Sequence, residues 1–317
     1  MRRLADATPP NLRPQKGPPK WREAPLYVPD PDLALAMDLA IDVRQPLLLT
    51  GEPGCGKTSA AWWAAWHLGL GLESVVHDTI RSDATAARLR WELDAVRYLR
   101  EALAPARKTK TTAPDRRDFI QPGPLWRAFK GAWERPVVLL LDEIDKAPRD
   151  VPNDLLHELD ERRFEVDDLP PAHTDRLIRA PEAHEETDGR GLWLVVFTSN
   201  GERRLPDAFL RRCVHHHLRY DDKHLERIIK HRRREGQLNI SDELVALALE
   251  RFAAIRRRPG QNHRPSAAEG LLWVEVLSWR ANDSLRQLRD ATTEAQLPHL
   301  GLLVKDSTDL EQLRRES

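Results

Sequence analysis

Pro46-Leu47-Leu48-Leu49-Thr50-Gly51-Glu52-Pro53-Gly54-Cys55-Gly56-Lys57-Thr58-Ser59 runs from an apolar stretch through a glycine-rich turn into Ala60-Ala61-Trp62-Trp63-Ala64-Ala65-Trp66. The order reads as a strand, a phosphate loop and a helix. Glycines at both ends of G-x-x-x-x-G-K-T let the backbone turn so that its N–H groups face an anion. Lys57 adds a point charge for the β- and γ-phosphates, and Thr58 supplies a hydroxyl for Mg²⁺. The ligand class is a nucleoside triphosphate, with Gly51, Glu52, Pro53, Gly54, Cys55, Gly56, Lys57, Thr58 and Ser59 as its contacts. An ordinary Gly/Pro-rich turn is the plainer alternative, and the strand-to-helix setting argues against it.

The 317 residues suffice for two compact domains. Fifty basic and fifty acidic side chains cancel, so no global field draws the chain to nucleic acid or a membrane, although a local basic patch is left open. Cys55 and Cys213 lie in unrelated segments without metal-ligand spacing, which fits a reducing compartment. With no apolar stretch of membrane-spanning length and no hydrophobic signal core, the expected address is the cytoplasm.

Residues 1–30, with Pro9-Pro10 and Pro18-Pro19, read as a flexible Pro-rich basic arm. Asp30-Pro31-Asp32 opens a helix with Leu33, Ala36, Met37, Ala40 and Ile41 on one face. Ser74-Val75-Val76-His77 reads as a second strand, and Thr85 to Leu103 as one long helix carrying Leu89, Leu93, Val96 and Leu99 on one side. Residues 104–120, with Lys108-Thr109-Lys110-Thr111-Thr112, read as a mobile surface insertion. Pro136-Val137-Val138-Leu139-Leu140-Leu141 and Trp193 to Phe197 are continuous apolar runs of the kind buried on both faces of a parallel sheet. Between them, Asn153 to Glu161 reads as a helix, Phe164-Glu165-Val166 as a short strand, and residues 169–190 as a loop or hairpin. The expected fold is therefore α/β, a three-layer αβα domain over residues 31–220. From Asp222 the period becomes purely helical, giving an all-α domain over 221–290 and a tail over 291–317.

Chemistry gathers at the strand ends. Leu141-Asp142-Glu143 places two carboxylates on the sheet edge that carries the phosphate loop, Asp142 suited to the Mg²⁺ shell and Glu143 to orienting and deprotonating water. An acidic pair can also be a plain turn, and the upstream loop is what makes the metal reading strong. Asn200, closing Val195-Val196-Phe197-Thr198-Ser199, is either a turn former before Gly201 or an uncharged group that positions the water, and its place after the acidic pair favours the latter. Arg211 and Arg212 either reach phosphate from a neighbouring subunit or favour the negative end of a helix. His215-His216-His217 alternate faces if extended, which argues against a metal site, and the tryptophans read as packing.

GEPGCGKT, VVLLLDEIDKA, VVFTSNGERRLPDAFLRRC and HRPSAAEGLLW, in this order, resemble an AAA+ ATPase, closest to the bacterial MoxR-like, midasin-related group. The resemblance spans about residues 25–285 and implies a P-loop AAA+ domain followed by a small helical lid. It further implies a homo-oligomer, commonly a hexameric ring, with ATP and Mg²⁺ between subunits. Matched position by position, Lys57 and Thr58 become the Walker A pair, Asp142 and Glu143 the Walker B pair, Asn200 sensor 1, and Arg212 the arginine finger with Arg211 beside it. One departure stands out: the family usually opens a lid helix with a sensor-2 arginine, whereas here Arg264 precedes the proline of Arg264-Pro265-Ser266-Ala267-Ala268-Glu269. The expected activity is ATP hydrolysis used to remodel a partner protein. The alternatives are a nucleotide-gated scaffold with little turnover and a nucleic-acid-processing ATPase that uses the basic arm and residues 104–120, the latter disfavoured by net neutrality.

Overall fold

A computed structural model describes Leu4, residues 16–103, 114–182, Glu185 and residues 190–315. The strands in chain order are β1 (Leu47–Gly51), β2 (Val75–Thr79), β3 (Trp91–Leu93), β4 (Ile120–Pro122), β5 (Pro136–Asp142), β6 (Arg163–Glu165), β7 (Leu177–Arg179), β8 (Gly191–Ser199) and β9 (Val214–Leu218). Among the described residues, five of them form one parallel sheet in the order β2-β5-β8-β1-β9. The continuous apolar runs are explained by burial on both faces. Val137, Leu139, Leu141, Val195 and Phe197 enter one core, and Val138, Leu140, Leu194 and Val196 the other.

Helices cover both faces. The chain enters through α1 (Pro19–Glu23) and α2 (Pro31–Val43), and α3 (Lys57–His67) follows β1. The second core holds Leu33, Met37, Ala40 and Ile41 of α2 beside Ala60, Ala61, Trp62 and Trp63 of α3. Asp30 caps α2 by accepting the Asp32 amide, and Pro31 at its first turn needs no N–H partner. Residues 16–26, expected within a flexible arm, are built into the fold. Trp21, Ala24 and Leu26 are buried, and Trp21 meets Trp62 edge-on at 6.3 Å. Aromatic burial, which a proline-rich composition hides, fixes this segment. Most of the remaining arm, and residues 104–113 of the expected insertion, lie outside the described residues.

The opposite face carries α4 (Ala86–Arg90), α5 (Ala95–Leu103), α6 (Pro124–Gly131) and α7 (Val151–Glu161). The long helix expected from Thr85 to Leu103 is broken by β3, which pairs with β4. Trp91 is the cause. It is buried, stacks on Phe164 at 6.0 Å and donates its indole N–H to Asp168. A continuous helix would turn it away from the side that buries Leu89, whereas an extended residue lets both go inward. Asp94 then restarts the helix by accepting the Arg97 amide, and Val96, Leu99 and Leu103 are left exposed. Strands β6 and β7 form the short hairpin between α7 and β8.

After the short α8 (Asp207–Leu210) and β9 the chain becomes helical: α9 (Asp222–Arg234), α10 (Asp242–Arg257), α11 (Ala267–Ser278), α12 (Ala281–Asp290) and α13 (Ser307–Arg315). These enclose a separate core of Leu225, Ile229, Phe252, Trp273 and Leu277. Residues expected to form a tail contribute Leu297, Leu303, Val304 and Leu313 to it, and Pro298 O accepts the Trp273 indole N–H at 2.8 Å. Gly270 lets α11 approach α10, because a Cβ there would stand 2.7 Å from the Phe252 ring.

Trp273→Ala should destabilise the lid by about 3–5 kcal/mol, since it opens a cavity and leaves the partly buried Pro298 carbonyl without its indole donor. Trp279→Ala, at an exposed ring on the same helix, should change stability by no more than about 0.5 kcal/mol. Urea midpoints of the full chain compare the two.

Candidate nucleotide site

Between β1 and α3 the backbone passes through Gly51 (φ 151°), Gly54 (φ 76°) and Gly56 (φ 99°), conformations that a side chain would strain. Space demands glycine as well. A Cβ on Gly51 would lie 2.5 Å from Leu218 O, and one on Gly56 would lie 3.0 Å from the Tyr27 ring. Gly56 caps α3 without a side-chain acceptor, so the first amides of this eleven-residue helix are left for an anion. Lys57 is buried and folds back on the loop, donating to Gly51 O at 2.8 Å and Glu52 O at 2.9 Å.

The Thr58 hydroxyl donates to the Asp142 carboxylate at 2.9 Å. Thr198 on the neighbouring strand makes a second hydrogen bond to Asp142, and the same Thr198 oxygen accepts the Glu143 amide at 2.9 Å. Burial pushes the Asp142 pKa up, but the polar contacts of His77, Thr198 and Thr58 outweigh it and hold the carboxyl below its ordinary range. His77 Nε2 stands 3.8 Å from Asp142 Oδ2, an ion-pair separation rather than a hydrogen bond. Glu143 itself has left-handed backbone (φ 62°), and its carboxylate accepts from Lys146 Nζ at 2.9 Å.

Asn200 lies in the turn after β8, and its position depends on a residue that the sequence pattern did not single out. Asp145, 2% exposed, accepts the Asn200 amide at 3.1 Å and the Glu202 amide at 2.9 Å through one oxygen. Asn200 is thus a turn residue that also lines the cleft.

The cleft has a volume of about 360 Å³. Pro53 through Ser59, Asp142, Glu143, Thr198 and Asn200 line its phosphate end; Glu23, Tyr27, His224, Ile228, Arg232 and Leu271 line the rest. The residues fit a Mg²⁺-bound nucleotide. The glycine cradle excludes Cβ atoms, the helix amides face an anion, and a hydroxyl and a carboxylate meet where a hard cation would bind. Among the described residues no cluster of three or more His, Cys, Asp or Glu could hold a metal ion.

Arg211 and Arg212 are exposed and do not line this cleft; Arg212 Nε is 3.8 Å from Asp160 Oδ2. They follow α8, with Arg211 at its C-cap. Arg264 does not match its expected place. It is exposed and lines a separate pocket with Tyr220, Asp222 and Arg256, while Ala267, Ala268 and Leu271 of α11 face the nucleotide cleft. His215 and His217 share Thr50 Oγ1, at 2.8 and 2.9 Å, so the histidine run serves the sheet edge. Burial also pushes the Cys55 thiol up against the influence of Lys57, which argues against a reactive thiolate.

Strand, loop, helix and acidic strand end together define a phosphate-loop nucleotide-binding protein. Residues 46–213 match the family model described as AAA domain (dynein-related subfamily), and the chain belongs to this family. Among solved structures, a candidate ATPase from Cytophaga hutchinsonii aligns at 16% identity over 83% of this chain and 70% of that one, with a TM-score of 0.37. RuvB of Thermotoga maritima, a Holliday junction branch migration motor, aligns at 18% identity over 89% of this chain and 67% of that one, with a TM-score of 0.41. No curated protein matches the chain. Among the described residues no helix is long and apolar enough to cross a membrane.

Because the native Asp142 pKa is lowered, its contribution to stability is complete above the ordinary value of 3.8 and is lost as pH falls through the native value. Thr198→Val removes one of the contacts that lower it, so the stability lost on acidification should be smaller and the loss should end at higher pH. Urea midpoints between about pH 2 and 5 measure this; an unchanged loss would mean that the hydroxyl does not hold the carboxylate.

Proposed function

We propose that the chain hydrolyses ATP at a site completed by a second copy of itself, and that the cycle remodels a partner protein. The carrying observation is the convergence of Lys57, Thr58, Asp142, Glu143 and Asn200 on one cleft while Arg211 and Arg212 stand exposed outside it. Thr58 and Asp142 would hold Mg²⁺, which supplies charge neutralisation across the β- and γ-phosphates. Lys57 would exchange its loop carbonyls for phosphate oxygens. Glu143 orients the attacking water and takes its proton, and Asn200 offers an uncharged amide to the same water. Arg212, with Arg211 beside it, would enter the cleft of the next subunit and stabilise charge there.

Assembly draws support from two unlike apolar faces. Leu35, Leu39 and Val43 are exposed along α2, and Leu272 and Trp279 along α11. Unlike patches on one chain favour head-to-tail contacts, which close into rings, and we infer a hexamer of the MoxR-like kind in the cytoplasm. A second reading, a nucleotide-gated scaffold with little turnover, is favoured by the contact of Lys146 with the Glu143 carboxylate, which competes with water for the proposed base.

Glu143→Gln should retain ATP and lower turnover at least about a hundred-fold, while Lys57→Ala should lose binding. Arg212→Ala should lower turnover by about a thousand-fold. Mixing Arg212→Ala with Glu143→Gln should restore part of the rate, since a mixed ring contains interfaces with an intact Glu143 facing an intact Arg212. No recovery on mixing would overturn the shared site, and stoichiometric binding with negligible turnover in the parent would select the scaffold.

A further inference from the structure

Arg256, near the end of α10, is a largely buried guanidinium between the nucleotide domain and the lid. Its side chain is 10% exposed and meets three separate segments. The guanidinium carbon stands 3.8 Å above the Tyr220 ring, in the connection from β9 to α9 where the nucleotide domain passes into the lid. One nitrogen donates to Pro265 O, just ahead of α11, and the other to the Glu52 carboxylate of the phosphate loop. Tyr220 is anchored in turn, its hydroxyl donating to Asp222 at 2.6 Å, and Arg257 holds the other oxygen of Asp222 at 2.6 Å.

A second contact joins the same elements. A Cβ on Gly54 would lie 2.6 Å from Ser266 Oγ and 3.2 Å from the Ala268 Cβ, so the loop and the start of α11 are packed as closely as a glycine permits. Ser266 is itself fixed by a capping box with Glu269, whose carboxylate accepts the Ser266 amide at 2.7 Å. The phosphate loop therefore touches the lid at consecutive turns, through Glu52 and through Gly54. Arg264, by contrast, points away from the cleft.

We propose that Arg256 is a positioning residue that acts through Glu52 to latch the lid onto the phosphate loop and so governs nucleotide release. The latch rests on the nucleotide site described above. A bidentate guanidinium suits the task, because it spans a carbonyl and a carboxylate in one plane while its face lies on an aromatic ring. The lid carries His224, Ile228, Arg232 and Leu271, one wall of the cleft. With the latch made, that wall is held against the loop that cradles the phosphates, and a bound nucleotide leaves only when the contact opens.

Release of a fluorescent methylanthraniloyl-ADP, followed by stopped flow on the full chain, tests this. Glu52→Gln and Arg256→Gln should each accelerate release about ten-fold, the scale of one charge-assisted hydrogen bond. The double variant should be no faster than either single one, and Arg256→Lys should lie between Arg256→Gln and the parent. Unchanged release, or additive effects, would overturn the latch. Glu52→Gln alters one half-exposed side chain and carries the test if Arg256→Gln fails to fold. Hydrogen exchange in the nucleotide-free protein separates the latch from the nucleotide reading. Faster exchange at the amides of residues 54–56 and 267–270 in Glu52→Gln is expected, and unchanged exchange there would count against the latch even if the parent bound no nucleotide.

Discussion

The Asp142 carboxylate is the fixed point of this molecule. It sits at the end of β5, next to the central strand β8, receives hydroxyls from the helix after the phosphate loop and from β8, and stays ionised despite its burial. Thr58 therefore carries the register of α3 into the acidic end of the sheet, and Thr198 carries that of β8. Because the Thr198 oxygen also accepts the Glu143 amide, Glu143 is held by the same hydroxyl that orients the Asp142 carboxylate. A group shared in this way ties the acidic end of β5 to β8, and a fixed set of dipoles is what electrostatic catalysis requires.

How far the sequence reveals this arrangement depends on how local the constraint is. The phosphate loop, the acidic pair and Asn200 are legible because backbone torsion, helix amides and strand ends demand particular residue types at neighbouring positions. The sheet is legible because burial on both faces demands continuous apolar runs. Trp91 is different: its burial depends on Phe164 and Asp168, far along the chain, and a helical period extending through it conceals the break. The same holds for Trp21, hidden in proline-rich sequence, and for Leu303 and Leu313, whose partners belong to the lid core. Asp145 follows the acidic pair by two residues, and its role is hidden because the amides it accepts, of Asn200 and Glu202, lie far along the chain. Arg256 stands in a run of three arginines, where charge patterning alone cannot separate a buried guanidinium from solvated neighbours.

The departure at Arg264 has a physical counterpart in the lid. Helix α11 presents Ala267, Ala268 and Leu271 to the cleft, so its entrance is apolar where a direct phosphate reader would carry charge. The lid's link to the phosphate loop passes instead through the loop's own side chain, Glu52, and through close packing at Gly54. Such a link reports on loop conformation rather than on phosphate charge. It is compatible with triphosphate and diphosphate alike, and it assigns discrimination between them to groups outside the lid.

The cations within reach of the cleft lead to the same place. Among the described residues that line it, Lys20 is engaged with Ser59, and Arg232 is held by Glu275 at 2.6 Å toward the end away from the loop. Lys57 is the basic side chain set in the phosphate loop itself. One ammonium and one divalent ion leave part of a triphosphate's charge uncompensated, and charge developing on the leaving oxygens adds to the deficit as transfer proceeds. A further cation supplied from outside the chain's own cleft would help to meet that charge. Exposed guanidiniums at Arg211 and Arg212, attached to the strand that borders β1, are groups of the right chemistry to supply it to a neighbour. This charge balance is a reason for the proposed dependence of hydrolysis on assembly that stands apart from any likeness in sequence.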